Sequence, residues 1–421
     1  MTLRLPRALG QNYAFVVAGV IFLSLLAAAA LRSAPGVLMK PLEDAFGWDR
    51  GIISLAAGIG IFLYGMTGPF AAALMSSFGL KRVVVIALAV MAISTGASAF
   101  MSEPWHYVAT WGVISGVGSG AVAMVLGATV VNRWFVTRRG LMTGLLTAST
   151  ATGTLLFLPL MAWVTQQGGW RPVVIGVAAA MALLVPLAAL LVPDKPSSVG
   201  LRPYGAGDDY VEPETIPGGK ALTYAIGVLF RAAHTRTFWL LFIGFFVCGL
   251  TTNGLVGTHM IALCADYGMA PVQAAGLMAM MGLFDLVGTT LSGWATDRYD
   301  PRKLLFIYYA LRGLSLMYLP FSDFSIVSLG VFAVFYGLDW IATVPPTVKL
   351  ASEAFGDRDG PIVFGWIAAG HQIGAATAAI GAGVLRAAQG RYLEAFVMAG
   401  AAGMIAAAAS LSIRRPALVR T

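Results

Sequence analysis

Charge is what this sequence has least of. Only 11% of its 421 residues are Asp, Glu, Lys or Arg, against about 25% in a soluble domain. With 58% hydrophobic residues and a mean hydropathy of +0.80, a chain this long could not cover a water-facing surface with polar groups. That excludes an ordinary soluble enzyme, a disordered chain and a collagen-like fibre. Cysteine is nearly absent too. Cys248 and Cys264, both within apolar stretches, cannot make a disulfide framework, and with four scattered histidines they give no zinc-finger spacing. No nucleophile–base set and no nucleotide-binding motif is present. Gly116-x-Gly118-x-Gly120 lacks the lysine of a phosphate loop and lies inside an apolar run. Neither catalysis nor ATP drive is expected, and no cofactor, metal or nucleic-acid partner is implied.

What is there instead is apolar sequence in membrane-sized pieces. A bilayer crossing needs about 20 apolar residues. Twelve candidates meet this, at roughly 13–39, 51–75, 83–101, 105–131, 141–165, 171–192, 237–264, 273–294, 303–320, 325–349, 362–388 and 392–413. The ten-residue alternating segments of a membrane barrel are missing. The fold class is therefore an all-α membrane protein of twelve spans, its first helix retained rather than removed as a signal peptide. The longest polar stretch, Pro193 to Arg236, separates residues 1–192 from 237–421, and Thr223–Ala233 within it reads as a short amphipathic surface helix.

The formal charge of +8 is a statement about orientation. With the N-terminus placed inside, the cytoplasmic side collects Arg4, Arg7, Lys81, Arg82, Arg133, Arg138, Arg139, Lys195, Arg202, Lys220, Arg231, Arg236, Arg298, Arg302, Lys303, Lys349, Arg358, Arg414, Arg415 and Arg420. The opposite side has Lys40, Arg50, Arg171, Arg386 and Arg391. This asymmetry puts both termini in the cytoplasm. The halves also repeat. The turn after the second span is Ser76-Ser77-Phe78-Gly79-Leu80-Lys81-Arg82, and the turn after the eighth runs from Gly293 through Asp297-Arg298 to Arg302-Lys303. Two related six-helix halves are a transporter architecture.

The second of these turns resembles the loop motif of the major facilitator superfamily, Gly-x-x-x-Asp-Arg-x-x-x-Arg-Lys; the first is a degenerate copy, with Ser76 and Ser77 where Asp-Arg is usual. Within that superfamily the chain resembles the bacterial monocarboxylate and oxalate/formate transporters. The residues concerned are Pro41 to Trp48 with Ile53-Ser54, Arg133-Trp134-Phe135 with Arg138-Arg139-Gly140, and Thr258-His259 before Asp266-Tyr267-Gly268. The resemblance implies that Asp297, Arg298 and Arg302 hold an inner gate. It also implies a departure: animal monocarboxylate carriers have an Arg four residues after the eighth-helix Asp, and here Thr289 follows Asp285.

Charge at bilayer depth costs about 2.5–3.5 kcal/mol per residue on insertion scales and is usually functional. Four such residues remain: Arg32, Asp285, Arg312 and Asp339. Arg32 adjoins Ser33-Ala34-Pro35-Gly36, a segment able to kink the first helix, and its fork suits a carboxylate; it lies close to where monocarboxylate carriers place a substrate-linked Lys. Its structural alternative is snorkelling or a pair with Asp44. Asp285 shares a face with Gly288, Thr289 and Ser292 and is a candidate proton carrier, or else a permanent partner of Arg312. Asp339 heads a face with Tyr336, Trp340 and Thr343 before Pro345-Pro346 breaks the helix; it is the second candidate proton carrier, or a partner of Arg312. Arg312, on a helix that the resemblance makes peripheral, is read as structural. His371 suits an anion donor or proton switch and stands near the basic eleventh-helix residue of the oxalate/formate group. His259 is a third proton-coupling candidate, and Asn253 with it a candidate wall residue. Substrate contacts are thus expected from Arg32, His371, Asn253, Tyr336, Trp340 and Thr289. Small-residue stripes such as Gly112, Gly116 and Gly120 serve helix packing, while the Thr147, Thr150, Thr154 line faces a cavity or bonds its own backbone.

The expectation is a secondary transporter of small organic anions: proton-coupled transport of a monocarboxylate by alternating access, in a monomer in a bacterial inner membrane. Efflux of apolar or weakly cationic compounds, and a receptor on a transporter fold, are the alternatives.

Overall fold

The computed structural model describes residues 8–48, 50–212, 220–269 and 271–413. Arg4, Arg7, Arg414, Arg415 and Arg420 of the charge map, with Pro213 and Pro217 of the linker, lie outside the described residues, as do the side chains of Lys40, Arg50, Ser54, Thr150 and Thr154.

Helix follows helix. In chain order they are α1 (Tyr13–Phe46), α2 (Arg50–Phe78), α3 (Leu80–Ala97), α4 (Pro104–Tyr107), α5 (Ser115–Ala121), α6 (Met124–Trp134), α7 (Arg139–Gly168), α8 (Trp170–Leu191), α9 (Ala221–Ala233), α10 (Arg236–Gly249), α11 (Gly257–Asp266), α12 (Pro271–Arg298), α13 (Pro301–Tyr318), α14 (Ile326–Asp339), α15 (Val344–Gln389) and α16 (Leu393–Ser410). π-Helical turns, Val108–Ile114 and Leu250–Val256, join α4 to α5 and α10 to α11. The strand-like element among the described residues is one parallel bridge, Phe135 to Tyr204. It pins the linker to the end of α6, with Tyr204 N–H bonded to the Trp134 carbonyl at 2.8 Å.

Among the described residues, ten stretches are long and apolar enough to cross a bilayer. One of them, Ile326–Arg386, has 61 residues, about 90 Å if helical throughout and three times the hydrocarbon thickness. It is interrupted twice, between α14 and α15 and at Gly356, where φ is 79°.

Contacts divide the chain into two compact units, Met1–Met142 with Ser149–Gly227, and Thr143–Ala148 with Val228–Thr421. In the first, α2 packs closely on the small-residue stripe: a Cβ placed on Gly116 would lie 2.9 Å from the Gly60 Cα, and one on Gly120 would lie 2.7 Å from the Tyr64 carbonyl. In the second, a core of Phe332, Tyr336, Leu263, Met281, Leu316 and Phe396 ties α11 to α16 together.

The break in the tenth expected span falls before Pro345-Pro346 and not after them. α14 stops at Asp339, and the prolines occupy the first turn of α15. A first-turn proline has no N–H to waste, and the Ala342 carbonyl lies just before the N-cap, Thr343, outside the helical ladder. The Ser292 hydroxyl donates to it at 2.5 Å.

Candidate functional site

The second unit gathers its buried carboxylates and guanidinium on that break. Asp339, last residue of α14, accepts from Arg312 Nε at 2.7 Å, and the same guanidinium donates to the backbone carbonyls of Asp339 and of Trp340, the latter at 3.0 Å. Both side chains are buried, at 0% and 6% exposure. Arg312 Nη1 also lies 3.0 Å from the Cys248 sulfur, which is itself 3.3 Å from the Thr343 hydroxyl. The Tyr309 ring lies beneath the guanidinium at 5.7 Å. From α12, Asp285 Oδ1 accepts the Ile341 N–H at 3.0 Å and the Thr289 hydroxyl at 2.6 Å. The broken backbone from 339 to 343, whose polar groups could not stay unpaired in an apolar interior, is thus satisfied by α12 and α13 side chains.

Two carboxylates and one guanidinium share this buried volume. The Asp339–Arg312 pair is neutral, which leaves Asp285 with one negative charge in excess when ionised. The second oxygen of each carboxylate, Asp285 Oδ2 and Asp339 Oδ1, is enclosed and has no hydrogen-bond partner among the described residues.

Tyr336 faces the π-helical turn, donating to the Thr251 carbonyl at 2.7 Å, and stands edge-on to the half-buried Trp340 at 5.6 Å. His371 on α15 is 4% exposed. Its ring packs on Phe245 at 5.2 Å, its Nδ1 has no partner among the described residues, and the Cys248 thiol is its neighbour. Asn253 is exposed on the π-helical turn, although it lies within an apolar span. His259 is engaged on both sides, Nδ1 to the Tyr392 hydroxyl at 3.1 Å and Nε2 to the Ala379 carbonyl at 2.9 Å.

The first unit holds the opposite imbalance. The Arg32 guanidinium lies 4.6 Å from the Tyr64 ring centre, and its Nη1 is enclosed with no partner among the described residues. Asp44 is twelve residues along the same helix, about 18 Å away at 1.5 Å per residue, so the pairing weighed from sequence is out of reach.

The loop-motif residues form their own group. Arg302 binds Asp300, with Nη2 to Oδ2 at 2.6 Å, and reaches the Ile413 carbonyl at 3.2 Å. Arg298 stacks over Trp294 at 4.2 Å and donates to its carbonyl at 3.1 Å; Asp297 is engaged as well. Lys349 caps the C-terminal end of α12 through the Thr296 carbonyl at 2.6 Å. In the degenerate first copy a carboxylate comes from elsewhere: Asp194 Oδ1 accepts the Lys81 N–H at 2.9 Å, while Arg133 donates to the Met75 carbonyl at 2.9 Å and to the Asp194 carbonyl at 3.2 Å. In both units a cation thus covers carbonyls at a helix C-terminus, where the dipole favours it.

Of the residues chosen from sequence, Asp285, Thr289, Arg312, Tyr336, Asp339 and Trp340 converge around the break, with His371 beside them. Two participants were missed. Cys248 lies in an apolar stretch four residues before Thr252. Tyr64 is one of two hydroxyls, with Thr67, in an apolar run.

A bundle of membrane-length helices with charge held inside it is the build of a membrane transporter. Residues 21–346 and 241–420 match the sequence profile of the Major Facilitator Superfamily, and the chain belongs to that family. It is 25% identical over 333 residues to the uncharacterized MFS-type transporter YcxA of Bacillus subtilis, covering 77% of each chain. To monocarboxylate transporter 13 of Rattus norvegicus it is 28% identical over 392 residues, covering 92% of this chain and 85% of that one. Among solved structures it is similar to the proton:xylose symporter XylE, with a TM-score of 0.72 at 15% identity over 96% of this chain and 97% of the other, a likeness of fold. The protein is therefore an integral membrane transporter.

Proposed function

We propose that the protein moves a small monocarboxylate together with protons, by alternating access. One observation carries the reading: each unit holds within its spans one charge that the described residues leave unbalanced, positive at the half-buried Arg32, whose Nη1 is enclosed, and negative at the buried Asp285. An ion left uncompensated away from water is costly. A substrate carboxylate neutralises the first, held by the guanidinium fork, and a proton neutralises the second. The relative named a monocarboxylate transporter supports the substrate class, and the symporter of like fold supports the coupling ion.

In this reading Asp285 is the proton carrier, and Asp339 is the partner of Arg312. His371 offers its unpartnered Nδ1 to substrate or proton. Trp340 and Asn253 contribute wall; an exposed amide within a span faces water in preference to lipid. Thr289 and Tyr336, whose hydroxyls are already committed, shape the site, and His259 fixes α11 against α15. Asp297, Arg298 and Arg302 hold the inner gate.

The reading includes twelve spans. α7, 30 residues long, adds one to the ten, and the break before α15 divides Ile326–Arg386 into two. Residues 1–192 and 237–421 are then six-helix halves joined by 193–236, with both termini cytoplasmic in a bacterial inner membrane, and the protein is a monomer.

The test is a screen of small carboxylates in proteoliposomes bearing a pH gradient, with an internal pH dye. Proton movement dependent on at least one acid is expected. A folded protein giving none with any acid overturns the proposal.

A further inference from the structure

Both cysteines are free and enclosed: Cys248 is 1% exposed and Cys264 is 0% exposed. Exposure does not distinguish them, but their neighbours do. Cys264 sits in the apolar cluster of Met260, Leu263 and Met281, where a thiol behaves as a small hydrophobe. Cys248, the penultimate residue of α10, sits among polar groups. Arg312 Nη1 approaches its sulfur from α13 at 3.0 Å, the Thr343 hydroxyl lies 3.3 Å away, and the His371 imidazole of α15 is beside it. The backbone holds this arrangement. A Cβ on Gly249 would overlap the His371 carbonyl, so glycine is what lets α10 and α15 come this close. The hydroxyls of Thr251 and Thr252 both donate to the Cys248 carbonyl, at 3.0 and 2.7 Å.

A guanidinium and an imidazole beside a sulfur are the surroundings of reactive protein thiols, because they stabilise the negative charge sulfur carries as it attacks an electrophile. Purely apolar surroundings make a thiol inert. A second observation points to a small polar reactant. His371 is 4% exposed, and its Nδ1 is enclosed without a partner among the described residues, as is Oδ1 of Asp339, the partner of Arg312. Access to the sulfur rests on the reading of Asp285 as the proton carrier. A carboxyl that is fully buried exchanges protons only if water enters the volume around the break at some stage of transport. Hydrogen peroxide, neutral and scarcely larger than water, enters with it.

We propose that Cys248 is a peroxide-sensitive thiol, converted by hydrogen peroxide to a sulfenic acid that stops transport. The sulfur attacks one peroxide oxygen, and the S–O bond forms as the O–O bond breaks. Sulfur is oxidised by two electrons, the other peroxide oxygen leaves as hydroxide, and the thiol proton joins it to give water. With neighbours at 3.0 and 3.3 Å, the added oxygen has no room between the guanidinium and Thr343. Arg312 is displaced, and with it the contacts that tie Asp339 to the broken backbone. A dithiol reverses the step, returning the thiol and one water and becoming a cyclic disulfide.

The second cysteine is an internal control in the full-length protein in liposomes. After a pulse of hydrogen peroxide, dimedone caps sulfenic acids and peptide mass spectrometry locates the adduct. Capping of Cys248 and not of Cys264 is expected, several-fold slower in His371→Asn. The melting midpoint is expected to fall on oxidation, to recover with dithiothreitol, and to be unmoved by peroxide in Cys248→Ser. Equal capping of the two cysteines, or none at Cys248, would overturn the proposal. So would a midpoint that peroxide lowers as much in Cys248→Ser, which places the damage at methionine. Acid-dependent proton movement is expected to be lost with peroxide and regained with dithiothreitol in wild type and Cys264→Ser alike, and what remains of it in Cys248→Ser to resist peroxide. Transport that survives complete oxidation of Cys248 would overturn the proposal too. Capping and melting are read without transport, so failure of the carboxylate reading and failure of this proposal are told apart.

Discussion

Arg312 and Asp339 form a buried ion pair, Nε to Oδ2 at 2.7 Å, and the same guanidinium binds the backbone at the point where the helix bearing Asp339 ends. The pair is at once a charge balance and a splint. Removing one partner of a buried pair typically costs about 3–5 kcal/mol. Arg312→Leu is therefore expected to lower stability by that order in detergent denaturation, and Arg312→Lys to recover little, because an ammonium cannot serve a carboxylate and two carbonyls as a planar fork does. The double variant Arg312→Leu, Asp339→Asn should be more stable than Arg312→Leu alone. If it is not, the pair contributes geometry and not charge balance.

Arg32→Gln is expected to fold and to lose substrate. A hydrogen bond to a charged group is worth about 1.5–3 kcal/mol, so the apparent affinity for the transported acid should fall roughly 10- to 100-fold, measured as the concentration dependence of uptake. Undiminished affinity in a folded variant would take Arg32 out of the site.

Asp285→Asn keeps a side-chain oxygen for the Ile341 N–H and the Thr289 hydroxyl but cannot exchange a proton. Accumulation against a gradient is expected to disappear, while exchange of labelled for unlabelled acid persists. Proton-driven accumulation at the wild-type level would move the coupling to another group.

Gly288 touches α14 where no side chain fits: a Cβ there would overlap the Leu338 carbonyl. Gly288→Val is expected to push α12 from α14 and cost about 1–3 kcal/mol or more, with a lower yield of monodisperse protein. Val at Gly330, where a Cβ would meet open space, is the control and should be tolerated.

Asp194→Asn tests the first inner turn. It weakens the acceptor for the Lys81 N–H at the start of α3, and the loss of a charged helix-terminal contact of this kind is worth about 1 kcal/mol. A small drop in the melting midpoint is expected, larger for Arg133→Met, which frees the carbonyls of Met75 and Asp194 together.

Sequence alone was enough for the chemistry of the bundle, because membrane crossing is a one-dimensional property. Twenty apolar residues in a row are needed whatever their neighbours, so the shortage of charge, the membrane-length helices and the loop motif could be read without a fold. The same logic singled out Arg32, Asp285, Arg312 and Asp339, since a charge within an apolar run is conspicuous by itself. Partnership is another matter. Arg312 could have served either aspartate as far as spacing goes, and the choice of Asp339 turns on where α14 stops. The prolines advertised a break, but its side was decided by whether neighbouring helices could satisfy the freed groups, and those donors and acceptors come from Ser292, Asp285 and Arg312, between 27 and 56 residues away. His259 looked titratable in the sequence; only folding brought Tyr392 and the Ala379 carbonyl to its two nitrogens, from more than a hundred residues away. Composition determined which groups must be buried, because the solvent acts on each residue separately. Tertiary structure decided which of those groups are paired and which keep an atom without a partner among the described residues, because electrostatic pairing falls off within a few ångströms and depends on contacts no local pattern encodes.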